Sequence, residues 1–207
     1  MIPAKALPSA KSRLLPATSD DASHRRLVEA IRADTTAAAA RTDGVARVLL
    51  VVDRPGEHGP RGALVQSRPG LNGALTDAAE HAAAAWPGDG VAALVGDLPA
   101  LRSADLAAAL ASAAGHPRAF VPDADGAGTT LLAAAPGAAL DPMFGAGSAA
   151  RHGVAAVRLD AAASLRTDVD TAGDLAAAAG LGLGPRTAAV ASALGITLSA
   201  AVHLDVG

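Results

Sequence analysis

Three carboxylates stand where the chain could use them for chemistry. Asp97 follows the apolar run Val91-Ala92-Ala93-Leu94-Val95-Gly96, and Asp168 and Asp170 sit in Leu165-Arg166-Thr167-Asp168-Val169-Asp170-Thr171, just ahead of an expected helix. Acids at the mouths of two strands can share a divalent cation when the strands are neighbours in a sheet. A hard ion held by one or two carboxylates, with phosphate completing its shell, is the usual magnesium arrangement in phosphoryl and nucleotidyl transfer. Taken singly, Asp97 reads equally well as a turn or cap residue, and Asp168 and Asp170 as helix-start acids. The metal reading gains its force from the set.

Four further segments carry candidate chemistry. Pro3-Ala4-Lys5-Ala6-Leu7-Pro8-Ser9-Ala10-Lys11-Ser12-Arg13-Leu14 puts Lys5, Lys11 and Arg13 among small residues, where they could face a triphosphate. GxxxxGK[ST] is absent, so this is no Walker loop; the bland alternative is an exposed basic segment. Asp123-Ala124-Asp125-Gly126-Ala127-Gly128-Thr129-Thr130 offers glycines for close backbone approach to an oxyanion and two hydroxyls, or simply a tight turn capped by Asp. Phe144-Gly145-Ala146-Gly147-Ser148-Ala149-Ala150-Arg151-His152 reads as a Gly-rich turn entering a helix, whose free N–H groups favour anions. Ser148 and His152 would share a helix face there, although a lone His is more often inert. In Gly70-Leu71-Asn72-Gly73-Ala74-Leu75 the Asn72 amide could read a nucleobase edge or cap the following helix. Asp53 and the His58 region look like ordinary loop chemistry.

The elements that must position these residues follow from the apolar pattern. The runs at 45–52, 91–95, 119–121, 129–134 and 154–159 are short and bounded by turn residues; 20–41, 72–86, 103–114 and 171–179 have helical spacing. Ser103 is a plausible N-cap, and Thr171 with Asp174 fits a capping box. Strands alternating with helices predict an α/β fold with a largely parallel sheet, in which ligands bind beyond the carboxyl ends of the strands. Only Met1 and Ile2 precede Pro3, so the first strand is either short or starts upstream. The segment Gly180-Leu181-Gly182-Leu183-Gly184-Pro185 reads as a breaker, dividing a single domain over 1–185 from a tail over 186–207.

Composition narrows the classes. The 207 residues suffice for one large domain, and with 1% aromatics and no Tyr its core must be built from Ala, Val and Leu. A formal charge of −3 and the scarcity of stacking platforms argue against a nucleic-acid binder. Without cysteine there is no disulfide, thiolate nucleophile or Cys-ligated zinc. Charged residues interrupt every Ala-rich run before the ~20 apolar residues a membrane span needs. The N-terminus lacks a signal-peptide profile, so a cytoplasmic protein is expected. Oligomeric state, monomer or homodimer, is not legible.

Taken in order, PAKALPSAKSRL, GLNGAL, GDLPAL, DGAGTTLL, FGAGS followed by His152, and LRTDVDTAGDL resemble one family, from Pro3 to about Leu175. It comprises the guanylyltransferases that activate phosphoenolpyruvate or 2-phospho-L-lactate with GTP in coenzyme F-420 biosynthesis. They are MobA-like nucleotidyltransferases. The resemblance implies a Rossmann-like, glycosyltransferase-A-like fold with a mixed, mostly parallel central sheet flanked by helices. It implies that Thr130, Gly145 and Ser148, with His152 beside them, hold a phosphorylated three-carbon acid. Asp97 and Asp170, with Asp168, would hold Mg2+, and Lys5, Lys11 and Arg13 would face the GTP phosphates, with Asn72 on the nucleotide side.

Phosphoenolpyruvate is the expected acceptor, with 2-phospho-L-lactate and 3-phosphoglycerate as alternatives. A molybdopterin-type enzyme is disfavoured because its LAGGxSxRMG loop is replaced by PSAKSRL. A glycosyltransferase would rely on Asp123-x-Asp125, and a non-catalytic nucleotide-binding module would bind GTP without releasing pyrophosphate.

Overall fold

In the computed structural model the described residues are 1–4, 14, 18, 20–53 and 63–196; Lys5, Lys11, Arg13 and His58 lie outside them. In chain order the elements are β1 (Ile2–Ala4), α1 (Asp21–Ala40), β2 (Leu50–Val52), β3 (Leu64–Val65), α2 (Gly70–Ala85), β4 (Val91–Leu94) and α3 (Ser103–Ala113). There follow β5 (Arg118–Pro122), β6 (Thr129–Ala134), α4 (Ser148–His152), β7 (Val157–Arg158), α5 (Ala163–Arg166), α6 (Ala172–Leu181) and α7 (Pro185–Ala193).

β1, β2 and β3 pair in parallel, and β4, β6, β5 and β7 form a second ladder in that order. The two are joined at β1 and β4, where the Met1 amino group donates to Ala92 O at 2.6 Å and Leu94 N–H to Met1 O at 3.0 Å. The strand order is therefore β3-β2-β1-β4-β6-β5-β7, and among the described strands β6 alone runs against the others. This is the mixed sheet that the resemblance implies. All six residues of β6 are buried, as a central strand covered on both faces requires. β2 and β3 lie to one side of β1 and β4 to the other, so the β1–β4 boundary is the topological switch point. In open α/β sheets ligands bind beyond the carboxyl ends of the strands at such a point.

Several local expectations are corrected. Only Leu50–Val52 of the apolar run 45–52 is strand, because β1 offers three residues and pairs from Ile2 with Leu50 to Ala4 with Val52. Of the run 154–159 only Val157–Arg158 pairs, on β5. Ser103 is the first helical residue rather than the cap, and its hydroxyl donates to Ala38 O at 2.8 Å, tying α3 to α1. α7 is no detached tail. Its Thr187 N–H and hydroxyl donate to the buried Asp34 carboxylate of α1 at 2.7 and 2.8 Å. Val190, Leu194 and Ile196 then pack on the cluster of Leu27, Ile31, Leu175 and Ala178. The fold thus extends past residue 185 at least to Ile196.

Candidate active site

The Asp97 turn is held from three sides at the switch point. After β4, Val95 N–H donates to Thr130 O at 2.9 Å, so β6 begins where β4 ends. Gly96 follows, at a position where a Cβ would come within 3.3 Å of both Ile2 Cγ2 and Pro3 O; the absent side chain lets β1 and β4 close up. Leu98 N–H donates to Thr35 Oγ1 of α1 at 3.0 Å. From the far end of the chain, Val169 N–H donates to Asp97 O at 3.0 Å. Val169 is flanked in sequence by Asp168 and Asp170, so this bond ties together the backbones of two acid-bearing segments more than seventy residues apart.

The second acidic segment is itself pinned. Thr171 and Asp174 form the expected capping box: Asp174 N–H donates to Thr171 Oγ1 at 3.2 Å and the Asp174 carboxylate accepts Thr171 N–H at 2.8 Å. The same carboxylate accepts Asp170 N–H at 3.0 Å. At the other end, Arg166 donates to Asp123 O at 2.9 Å and Pro122 O at 3.3 Å, fastening 163–170 to the end of β5.

The donor set suits a hard cation. Asp97, Asp168 and Asp170 offer only carboxylate oxygens. Among the described residues no group of three or more His, Cys, Asp or Glu is placed to hold a metal unaided. An ion bound here would take one or two carboxylates and complete its shell with substrate phosphate and water, as Mg2+ does.

A second cluster lies along the start of β6. His152 is 2% exposed, with both ring nitrogens engaged inside the protein. Met143 N–H donates to Nε2 at 2.9 Å, and Nδ1 lies 2.9 Å from Thr129 Oγ1. A backbone amide can only donate, so Nε2 carries no proton and the neutral ring is protonated at Nδ1. Ser148 Oγ lies 3.1 Å from the same Thr129 hydroxyl, and Thr130 Oγ1 lies 3.4 Å from Val121 O. Ser148 and Thr130 are each 1% exposed. Ahead of α4 the exposed part of this segment is Gly145-Ala146-Gly147, with φ of 115° at Gly145 and 71° at Gly147. Glycines at positive φ turn successive amides toward one side, which suits an oxyanion. Arg151 stitches the loop from within, donating to Met143 O at 2.9 Å and Ala146 O at 2.7 Å.

Burial first, and then the Arg151 charge, push the His152 pKa below its ordinary value, with Asp141 pulling weakly the other way. The sign follows. Below the usual imidazole pKa of about 6.5 the unfolded chain takes a proton that the folded one refuses, so stability is complete above that pH and lost below it. Melting temperature should therefore fall as pH drops from about 7 toward 5.5, and less steeply in His152→Gln. An unchanged slope in that variant would remove His152 as the source.

The remaining candidates have other partners. The Asp123 carboxylate accepts Ala127 N–H at 3.0 Å and Gly128 N–H at 2.7 Å, and a Cβ on Gly128 would run into it. It caps its own turn, the alternative that the sequence also offered for this segment. Asn72 does not cap α2, where it is the third residue; both polar atoms of its amide lie on the backbone of Phe144. Two residues escaped the sequence reading. Thr35 supports the Asp97 turn, and the Arg32 stem passes the Cβ position of Gly96 at 3.8 Å. Both sit mid-helix, with no motif to mark them.

Comparison with known proteins shows the family. The chain is 53% identical over 203 residues to a protein of Streptomyces coelicolor named phosphoenolpyruvate guanylyltransferase, covering 94% of this chain and 95% of that one. Proteins of the same name from Geodermatophilus obscurus and Thermomonospora curvata are 50% and 48% identical, over 92% and 93% of this chain and 92% and 87% of theirs. No protein-family model matches. Among solved structures, one described as a nucleotide-diphospho-sugar transferase from Desulfovibrio desulfuricans superposes with a TM-score of 0.65 at 19% identity. It covers 84% of this chain and 83% of that one, a likeness of fold.

Proposed function

The chain belongs to the phosphoenolpyruvate guanylyltransferases, a family of nucleotidyltransferases, and we propose that it condenses GTP with phosphoenolpyruvate. The products are enolpyruvoyl-2-diphospho-5'-guanosine and pyrophosphate, and the setting is coenzyme F-420 biosynthesis in the cytoplasm. No helix among the described residues is long and apolar enough to cross a membrane. The observation that supports the reading is the Val169 N–H bond to Asp97 O, which joins the segment carrying Asp168 and Asp170 to the Asp97 turn at the switch point.

The chemistry is governed by charge. The second pKa of a phosphate monoester is about 6, so the acceptor is mostly a dianion at neutral pH and needs no general base. One of its phosphate oxygens attacks the α-phosphorus of GTP in line. That P–O bond forms as the bond to the β-phosphate breaks, and the electron pair leaves with pyrophosphate. The obstacle is repulsion between two polyanions, which the protein meets by positioning and neutralisation. The family resemblance assigns Lys5, Lys11 and Arg13 to the GTP phosphates. Gly145 and its neighbouring amides receive the acid, together with Thr130 and Ser148, which the family resemblance assigns to the same substrate. Asp97 and Asp170, with Asp168, would hold Mg2+, which would supply charge neutralisation and orientation of the phosphates.

The test is pyrophosphate release from GTP with phosphoenolpyruvate, 2-phospho-L-lactate and 3-phosphoglycerate in parallel, with mass detection of the product. Release with phosphoenolpyruvate is expected. A faster reaction with either other acid would replace the acceptor, and tight GTP binding without release would make the protein a binding module.

A further inference from the structure

The segment from Leu140 to Gly147 has no regular secondary structure, so its backbone groups must find partners elsewhere. Three side chains supply them. His152 accepts Met143 N–H, and Arg151 donates to Met143 O and Ala146 O. The third is Asn72, which comes from the far side of the sheet's switch point: its Oδ1 accepts Phe144 N–H at 2.8 Å and its Nδ2 donates to Phe144 O at 3.2 Å. A primary amide offers a donor and an acceptor in one plane, so here it replaces the strand that Phe144 lacks.

The helix that carries Asn72 is firmly seated. The Asp77 carboxylate accepts the Ser67 and Arg68 N–H groups just ahead of α2. A Cβ on Gly73 would stand 2.8 Å from Arg68 Cβ, so the helix start fits closely against the incoming chain. Leu75, one turn on, is buried in the same cluster as Phe144, Phe120 and Ala149. Phe144 in turn packs edge-on against His152, with ring centroids 5.2 Å apart. Asn72 is thus a fixed point to which a loop without secondary structure is tied.

We infer that Asn72 is a positioning residue for the acceptor loop: its amide pair with Phe144 sets where Gly145 and its neighbouring amides stand, and so governs affinity for the phosphorylated acid rather than recognition of the base. The inference rests on the proposed role of Gly145 in holding that acid. The pair with Phe144 uses one N–H donor and one acceptor position of the amide and fixes its orientation on the loop.

The test compares Asn72→Ala and Asn72→Asp with the unaltered protein. Asp keeps the shape and the acceptor for Phe144 N–H but has no N–H for Phe144 O. Steady-state KM is measured for phosphoenolpyruvate and for GTP, with ATP as a competing nucleotide, and amide hydrogen exchange is followed over 141–148. Both variants are expected to raise the phosphoenolpyruvate KM about 10-fold, the size of losing a buried hydrogen-bonded pair. GTP KM should stay within about 2-fold, GTP should remain preferred over ATP, and exchange at 143–147 should accelerate. A changed GTP KM or base preference with an unaltered acceptor KM would overturn the inference and return Asn72 to the nucleotide. Unaltered exchange in both variants would equally overturn it. Should the unaltered protein not turn over phosphoenolpyruvate at all, the proposed function fails, while the exchange measurement still decides whether Asn72 holds the loop.

Discussion

Asp97→Asn is expected to lower kcat by roughly 10³-fold or more while leaving the fold intact. Metal-assisted charge neutralisation is worth several kcal/mol in a transition state, and about 4 kcal/mol corresponds to three orders of magnitude in rate. An asparagine keeps the shape of the side chain but offers a hard cation a neutral oxygen in place of a charged one. Two of the bonds that hold the turn do not involve the carboxylate: Val169 N–H bonds the Asp97 carbonyl, and Leu98 N–H bonds Thr35. Melting temperature should therefore move by no more than about 2 °C. Asp170→Asn should resemble it, and the double variant should be little worse than either alone, because groups that act through one ion are not additive. Retained turnover in Asp97→Asn would remove the residue from the reaction. Fully multiplicative losses in the double variant would mean that the two acids do not serve one ion.

Gly145→Ala is expected to raise the acceptor KM about 10- to 100-fold with GTP KM little changed. Space is not the obstacle, since the nearest atom to an added Cβ is Arg151 Nη2 at 3.8 Å. The obstacle is torsional. A φ of 115° lies beyond even the left-handed region that L residues visit, and holding such a residue there costs on the order of 1–3 kcal/mol. The loop would relax instead, carrying Ala146 O and Met143 O away from Arg151. Gly180→Ala is the matched control: it is helical, its φ is ordinary and nothing lies within 4 Å of an added Cβ. That change should be neutral for kinetics and stabilising by about 0.5–1 kcal/mol. Equal kinetic effects from the two substitutions would show that backbone conformation at Gly145 is not what the acceptor senses.

The legible parts of this molecule are those written in local pattern. The capping box at Thr171 and Asp174, the breaker before α7, and the helices at Asp21–Ala40 and Ser103–Ala113 follow from residues a few positions apart. Propensity, capping and periodicity act over that range. β6 was legible as a strand, but its direction was not: an apolar run looks the same from either end, and only its pairing with β4 and β5 reverses it. Asp123 illustrates the converse. Asp-x-Asp in a sequence does not say what its carboxylates bond, and here the Asp123 carboxylate accepts two amides of its own turn.

The sequence by itself determined the alternation of strands and helices, the Ala, Val and Leu core, and the set of acids, glycines and hydroxyls available for phosphate chemistry. Tertiary structure alone decided which of them meet. Val169 reaches Asp97, Asn72 reaches Phe144, Thr35 supports Leu98, and Thr187 closes on Asp34, each across dozens of residues. The physical reason is common to all four. Each bond satisfies a backbone amide that turns, loops or helix starts leave without an intra-element partner, and which distant group meets it depends on how sheet and helices pack.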